Sequence, residues 1–183
     1  ELDSKIGIFY SIQGIVSIFM PALIGIVADR WIPAQKMLGI CHGIASVAMI
    51  CAGLYGLGTG AYVQFGPLFT LYSISVAFYM PTLALSNSVA YNALDKAGLD
   101  TIKAFPPILV FVNIGFIVTM WIVDLCNFQE TASQFIVSGV IGFLLAIYAF
   151  TLPACPINRN ANKKSFINAL GLRAFSLFKD KKM

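Results

Sequence analysis

Charge is scarce in this chain: charged residues fill 11% of its 183 positions, against roughly 25% in a typical soluble domain. That shortage excludes an ordinary water-facing surface. Apolar residues make up 58%, and mean hydropathy is +0.83, more than a single soluble core of this length can bury. Such a composition calls for a bilayer as solvent. Cysteine is sparse as well. The four at positions 41, 51, 126 and 155 form no Cys-x-x-Cys pair and, apart from the Cys41-His42 step, have no histidine at zinc spacing. Neither a disulfide framework nor a metal site is expected. The stretch Gly56-Leu-Gly-Thr-Gly60 lacks a following Lys-Ser or Lys-Thr, so it reads as a turn and not a phosphate cradle. No cofactor and no enzyme activity are expected, since no catalytic constellation appears. The net charge of +4 is not gathered into a basic patch interleaved with aromatics, which argues against nucleic acid as a partner.

What is present is a series of long apolar runs. Crossing roughly 30 Å of hydrocarbon at about 1.5 Å per residue takes about 20 residues. Five runs are long enough: Ile6 to Ala28, Met37 to Gly56, Phe65 to Ser88, Pro106 to Leu125 and Ala132 to Leu152. Backbone groups in lipid must be satisfied within the segment, and period-2 alternation is absent, so each run is expected to be a helix. Pro21 and Pro81 fall inside two of them, where kinks are expected.

Lysine and arginine orient the spans. Arg30, Lys36, Lys96 and Lys103, with the tail residues Arg159, Lys163, Lys164, Arg173, Lys179, Lys181 and Lys182, fall on one side if the spans alternate. Only Lys5 falls on the other. The N-terminus and the connections from Leu57 to Gln64 and from Cys126 to Thr131 are therefore expected outside, and the tail in the cytoplasm. Phe166, Leu170, Phe175 and Phe178 are placed to line one side of a helix from Lys164 to Lys182, which reads as an amphipathic helix at the cytoplasmic interface or as a flexible basic tail. Glu1 is not an initiator Met and no positively charged region precedes the first run, so at least one further helix is expected upstream.

The turn Gly25-Ile-Val-Ala-Asp29-Arg30-Trp31-Ile-Pro-Ala-Gln-Lys36 suits a gate. Gly25 permits close helix approach, and Asp29 can accept hydrogen bonds from amides or pair with a cation across an interface. It also reads as a solvated turn with a positive-inside residue. The segment resembles the major-facilitator signature between the second and third helices, with Ile32 in place of that signature's second glycine. Longer stretches resemble bacterial nucleoside permeases of the nucleoside:proton symporter family: Phe19 to Trp31, Tyr79-Met-Pro-Thr-Leu-Ala-Leu85, Phe105-Pro-Pro-Ile108, Ile114-Gly-Phe-Ile117 and Leu170 to Lys179.

The resemblance covers nearly the whole chain and implies an all-α integral membrane fold, with about five transmembrane helices that match the family's helices 2 to 6. Residues 1–152 would form this partial N-terminal bundle, and 153–183 a cytoplasmic linker with an amphipathic helix. It further implies a carrier in the bacterial cytoplasmic membrane, with nucleoside and proton as partners and a site between two six-helix halves. On that reading the first helix and the C-terminal half lie outside the chain, which would not transport by itself.

On the fourth run Leu109, Asn113, Phe116 and Met120 recur at steps of four, three and four and share one helical face. In the resembled family this face lines the cavity, with Arg, then Thr, then Phe as substrate contacts. Leu109 stands at the Arg position and Asn113 at the Thr position; Phe116 is kept. Leu109 has nothing to donate to a ribose or base, so carriage of another small polar solute stays open. Asn113 either hydrogen-bonds a base or sugar or ties helices together, and Phe116 either stacks on the base or fills space. Tyr79 and Asn87, eight positions apart, offer a further weak site. His42 is expected to make a structural hydrogen bond. Gly14, Ser17, Pro21, Gly25 and Ala28 form a small-residue stripe suited to close helix packing. No span holds Asp, Glu, Lys or Arg near its middle, so a proton-coupling carboxylate is expected elsewhere in the protein. A non-transport membrane assembly module is the remaining alternative.

Overall fold

A computed structural model describes residues 5–157. The linker helix expected between Lys164 and Lys182 lies outside them. The described residues form five α-helices: α1 (Ile6–Arg30), α2 (Ala34–Thr59), α3 (Phe65–Lys96), α4 (Thr101–Leu125) and α5 (Ser133–Ala149), with a 3-10 turn at Gly60–Tyr62. α1 to α4 are long and apolar enough to cross a membrane; α5, at 17 residues, is a shorter apolar helix.

Two boundaries differ from the sequence expectation by five positions or more. α3 runs on to Lys96, because the polar Ser86-Asn-Ser88 step contains no helix breaker and Val89 beyond it is buried in the bundle. α4 begins at Thr101, five positions before Pro106. Asp100 caps it, its carboxylate accepting the Ile102 N–H at 3.0 Å. The helices run unbroken through Pro21 and Pro81.

The turns are built by standard helix stops. After α3, Gly98 takes a left-handed backbone (φ +69°) and the Leu99 N–H reaches back to the Leu94 carbonyl at 3.1 Å. Asn127 (φ 55°) does the same after α4, with Phe128 N–H donating to Val123 at 3.1 Å.

α2 is the hub, packed extensively against both α5 and α3, while α1 packs on α3. The α2–α5 seam is set by glycines. A Cβ on Gly139 would lie 2.5 Å from Ile50 and 2.9 Å from the Ser46 carbonyl, and one on Gly53 would lie 2.6 Å from Ile136. Only residues without a side chain allow this approach. The expected seam on α1 differs: Cβ atoms on Gly14 or Gly25 would meet nothing within 4 Å, and only Ala28 of that stripe is buried.

The ends that carry Arg30, Lys36, Lys96 and Lys103 lie together, as alternation of the helices requires. Here Ala28, Met37, Leu38, Cys41, Leu85, Val89, Ala149 and Cys155 form a buried cluster. The chain leaving α5 is tied across it: the buried Gln35 side chain accepts the Cys155 N–H at 2.9 Å, and Lys96 donates to the Ala154 carbonyl. At the opposite end Phe9 meets Phe65, Phe69 and Tyr72 edge-on, with ring centres 5.6, 5.4 and 5.1 Å away.

α4 stands apart. None of its residues is buried, and its main partner is α3, where Tyr91 and Phe105 stack at 4.3 Å.

Candidate functional site

The open face of α4 carries Leu109, Asn113, Phe116 and Met120, all exposed, with Phe116 at 66%. Helical spacing puts them in register. The Asn113 side-chain amide donates to the Leu109 carbonyl one turn back at 3.1 Å. This bond holds the side chain against its own helix and leaves its carbonyl oxygen and second amide proton for a partner. Neither Asn113 nor Phe116 is buried among the described residues.

Tyr79, in the middle of α3, is 44% exposed and turned toward α2, where its ring meets the His42 ring edge-on at 6.1 Å. Both line a cavity of about 350 Å³ between α2, α3, α4 and α5, together with Ser46, Ser75, Thr119 and Gln134. Asn113, Phe116 and the exposed Asn87 do not line it. The structure thus joins Tyr79 to His42, not to the α4 face or to Asn87. His42 is 8% exposed, and among the described residues its imidazole makes the ring contact with Tyr79 but not the structural hydrogen bond expected for it. Ser75 is pinned, donating to the Ala45 carbonyl at 2.9 Å. A second cavity of about 320 Å³ lies toward the aromatic end, lined by Phe9, Tyr10, Tyr72 and Phe135.

Of the turn between α1 and α2, Asp29 and Lys36 are exposed and Arg30 is half-buried. Gly25 is open and does not receive a described neighbour. Between Arg30 and Lys36 the chain closes tightly, Trp31 N–H and Ile32 N–H both donating to the Val27 carbonyl at 3.0 and 3.2 Å. Sequence reasoning missed Gln35, one position from Lys36, whose buried side chain ties this turn to the segment after α5. A lone glutamine in a basic turn gives no signal of a partner 120 positions away.

No group of His, Cys, Asp and Glu able to hold a metal occurs among the described residues. Acidic and basic side chains sit only in the first or last three residues of the helices: Asp29, Arg30, Lys36, Asp95, Lys96, Lys103 and Asp124.

Apolar helices of membrane-spanning length with charges confined to their ends define a multi-pass membrane protein. The chain belongs to the Nucleoside H+ symporter family, which it matches over residues 2–183. It is 38% identical to the xanthosine permease and 37% identical to the nucleoside permease NupG, both of Escherichia coli K12, over 98% of its length. It spans 41% of each. A crystal structure of a variant of the nucleoside transporter NupG superposes with a TM-score of 0.86, covering 97% of this chain and 42% of that one.

Proposed function

We propose that this chain is part of a secondary active transporter that takes up nucleosides together with protons by alternating access. The observation that carries this reading is α4, a membrane-length helix with no buried residue, whose face presents Asn113 and Phe116. Such a face lacks its partners within the described residues, and the remainder of the same transporter would supply them across the substrate.

Asn113 would hydrogen-bond the base or sugar and Phe116 would stack on the base. Tyr79 and Asn87 on α3 would contribute from the neighbouring helix. The turn bearing Gly25, Asp29, Arg30 and Lys36 would act as the gate, its charges meeting the other half of the carrier in one state and releasing it in the other. The basic end would face the cytoplasm of a bacterial cell and the aromatic end the outside, following the positive-inside rule. Residues 153–183 would form the linker onward to the second half.

Leu109 favours a second reading, carriage of another small polar solute, because it cannot donate a hydrogen bond to a ribose or base.

The test is uptake of radiolabelled uridine and adenosine into proteoliposomes bearing the whole transporter, with and without an inward proton gradient. Gradient-stimulated uptake is expected. A folded protein that takes up neither would overturn nucleoside carriage and direct the search to other polar solutes.

A further inference from the structure

Two large apolar side chains stand bare where hydrocarbon does not account for them. Leu99 and Ile102 are 53% and 83% exposed, in the turn between α3 and α4 and the first residues of α4. They are interleaved with Asp95, Lys96, Asp100 and Lys103. The continuous apolar run of α4 begins only at Pro106, and from there to Leu125 it is long enough to cross the hydrocarbon. Leu99 and Ile102 therefore lie beyond that run, at the level of water and headgroups, where bare apolar surface is costly.

We propose that this turn is the docking surface for residues 164–182 of the same chain, which lie outside the described residues, and that the docked segment braces the basic end of α4. The inference holds whichever solute the carrier takes.

Three features select this occupant. The first is delivery. After α5 the chain runs across the basic end and is fastened there: the Cys155 N–H donates to the buried Gln35 side chain, and Lys96, three positions before Leu99, donates to the Ala154 carbonyl. Ile157, the last described residue, thus stands three positions beyond a residue held by the end of α3. The nine steps from Ile157 to Phe166 reach at most about 30 Å, ample for the segment to arrive at the turn.

The second is pattern. In helical register Phe166, Ile167, Leu170, Leu177 and Phe178 fall on one side, and Lys164, Asn168, Ser176 and Lys179 on the other. An apolar stripe of this kind is completed by an apolar surface beneath it, and Leu99 with Ile102 supplies one within reach.

The third is charge. Residues 158–183 hold Lys or Arg at 159, 163, 164, 173, 179, 181 and 182 and a single acid, Asp180. A basic segment is repelled by much of the end it leaves from, where Arg30, Lys36, Lys96 and Lys103 gather. In the α3–α4 turn both cations are engaged, Lys96 by the Ala154 carbonyl and Lys103 by Asp100 at 3.7 Å, and Asp95 is exposed at the rim. An exposed carboxylate adds little affinity but orients a basic partner.

The consequence reaches the open helix. α4 has no buried residue, and its main described partner is α3, so the helix that presents Asn113 and Phe116 is lightly held. A segment seated on Leu99 and Ile102 fastens its first turn and ties its movement to the connection that leads onward from this bundle.

The experiment places a photoreactive benzophenone side chain at position 102 of the whole transporter in proteoliposomes. Ile102 is so exposed that the fold does not depend on it. After irradiation, mass spectrometry of the digested protein identifies what the group has joined. Adducts within residues 164–182 are expected, and the further substitution Leu170→Lys, which breaks the apolar side, is expected to abolish them. Adducts that persist in Leu170→Lys overturn docking through that side. Adducts with lipid alone, with the remainder of the carrier, or with another copy, recognised by mixing isotope-labelled and unlabelled protein, overturn the assignment. The absence of any adduct overturns it as well.

Discussion

The side-chain carbonyl of Gln35, in the first turn of α2, accepts the backbone N–H of Cys155 at 2.9 Å, and both residues are buried. One bond thus ties the α1–α2 turn to the segment leaving α5. Gln35→Leu keeps most of the volume and removes the acceptor, stranding a buried donor. It is expected to destabilise the fold by about 1–3 kcal/mol and to expose Cys155 to a maleimide. Unchanged melting and unchanged Cys155 labelling of the whole transporter would show that the tie is dispensable.

The glycine seam predicts an asymmetry between two superficially similar substitutions. Gly139→Ala drives a methyl group into Ile50 and the Ser46 carbonyl, whereas Gly25→Ala adds one to open space. The first is expected to lower stability by about 1–3 kcal/mol; the second should leave melting unchanged. Thermal unfolding followed by size-exclusion chromatography in detergent measures both. Equal melting of the two variants would contradict the α2–α5 packing.

On α4 the expectation is loss of function without loss of fold, because no residue of that helix is buried. Asn113→Leu removes one hydrogen bond, about 0.5–1.5 kcal/mol, and should weaken uridine binding by up to roughly tenfold at unchanged melting temperature. Phe116→Ala should do likewise through lost aromatic contact, about 0.5–1.5 kcal/mol beyond its area. Calorimetric titration of the purified transporter reads both. If Asn113→Leu instead unfolds the protein, the side chain is structural.

Sidedness is open to labelling in intact cells. Cys126 is exposed at the end opposite the basic turns, so a membrane-impermeant maleimide should reach it from outside. Lys36→Cys should react only after permeabilisation. The reverse pattern would invert the proposed topology.

Much of this protein was legible one-dimensionally. The five apolar runs became five helices, and the near-absence of charge from their interiors followed from the cost of placing charge in hydrocarbon. The resemblance carried by Phe19 to Trp31, Tyr79 to Leu85 and Phe105 to Ile108 agreed with the family match over residues 2–183. The errors also had causes. Ser86-Asn-Ser88 reads as the end of a helix because it is polar, yet it holds no breaker and α3 continues through it to Lys96. Pro106 reads as a start because the continuous apolar run begins there, whereas the Asp100 cap sets the helix going at Thr101. The small residues of α1 read as a seam, yet the close contacts are between Gly53 of α2 and α5 and between Gly139 of α5 and α2.

Sequence by itself determined the solvent, the helices and the family, because each rests on composition, run length or ordered motifs. Tertiary structure alone decided which helical faces meet: that Gln35 reaches Cys155, that His42 turns to Tyr79, and that α4 stands open. In water the apolar face of a helix points inward, but in a bilayer lipid-facing and core-facing positions are both apolar. Hydrophobic pattern therefore loses its direction there, and the choice of contacts falls to the fit of small and large side chains in three dimensions.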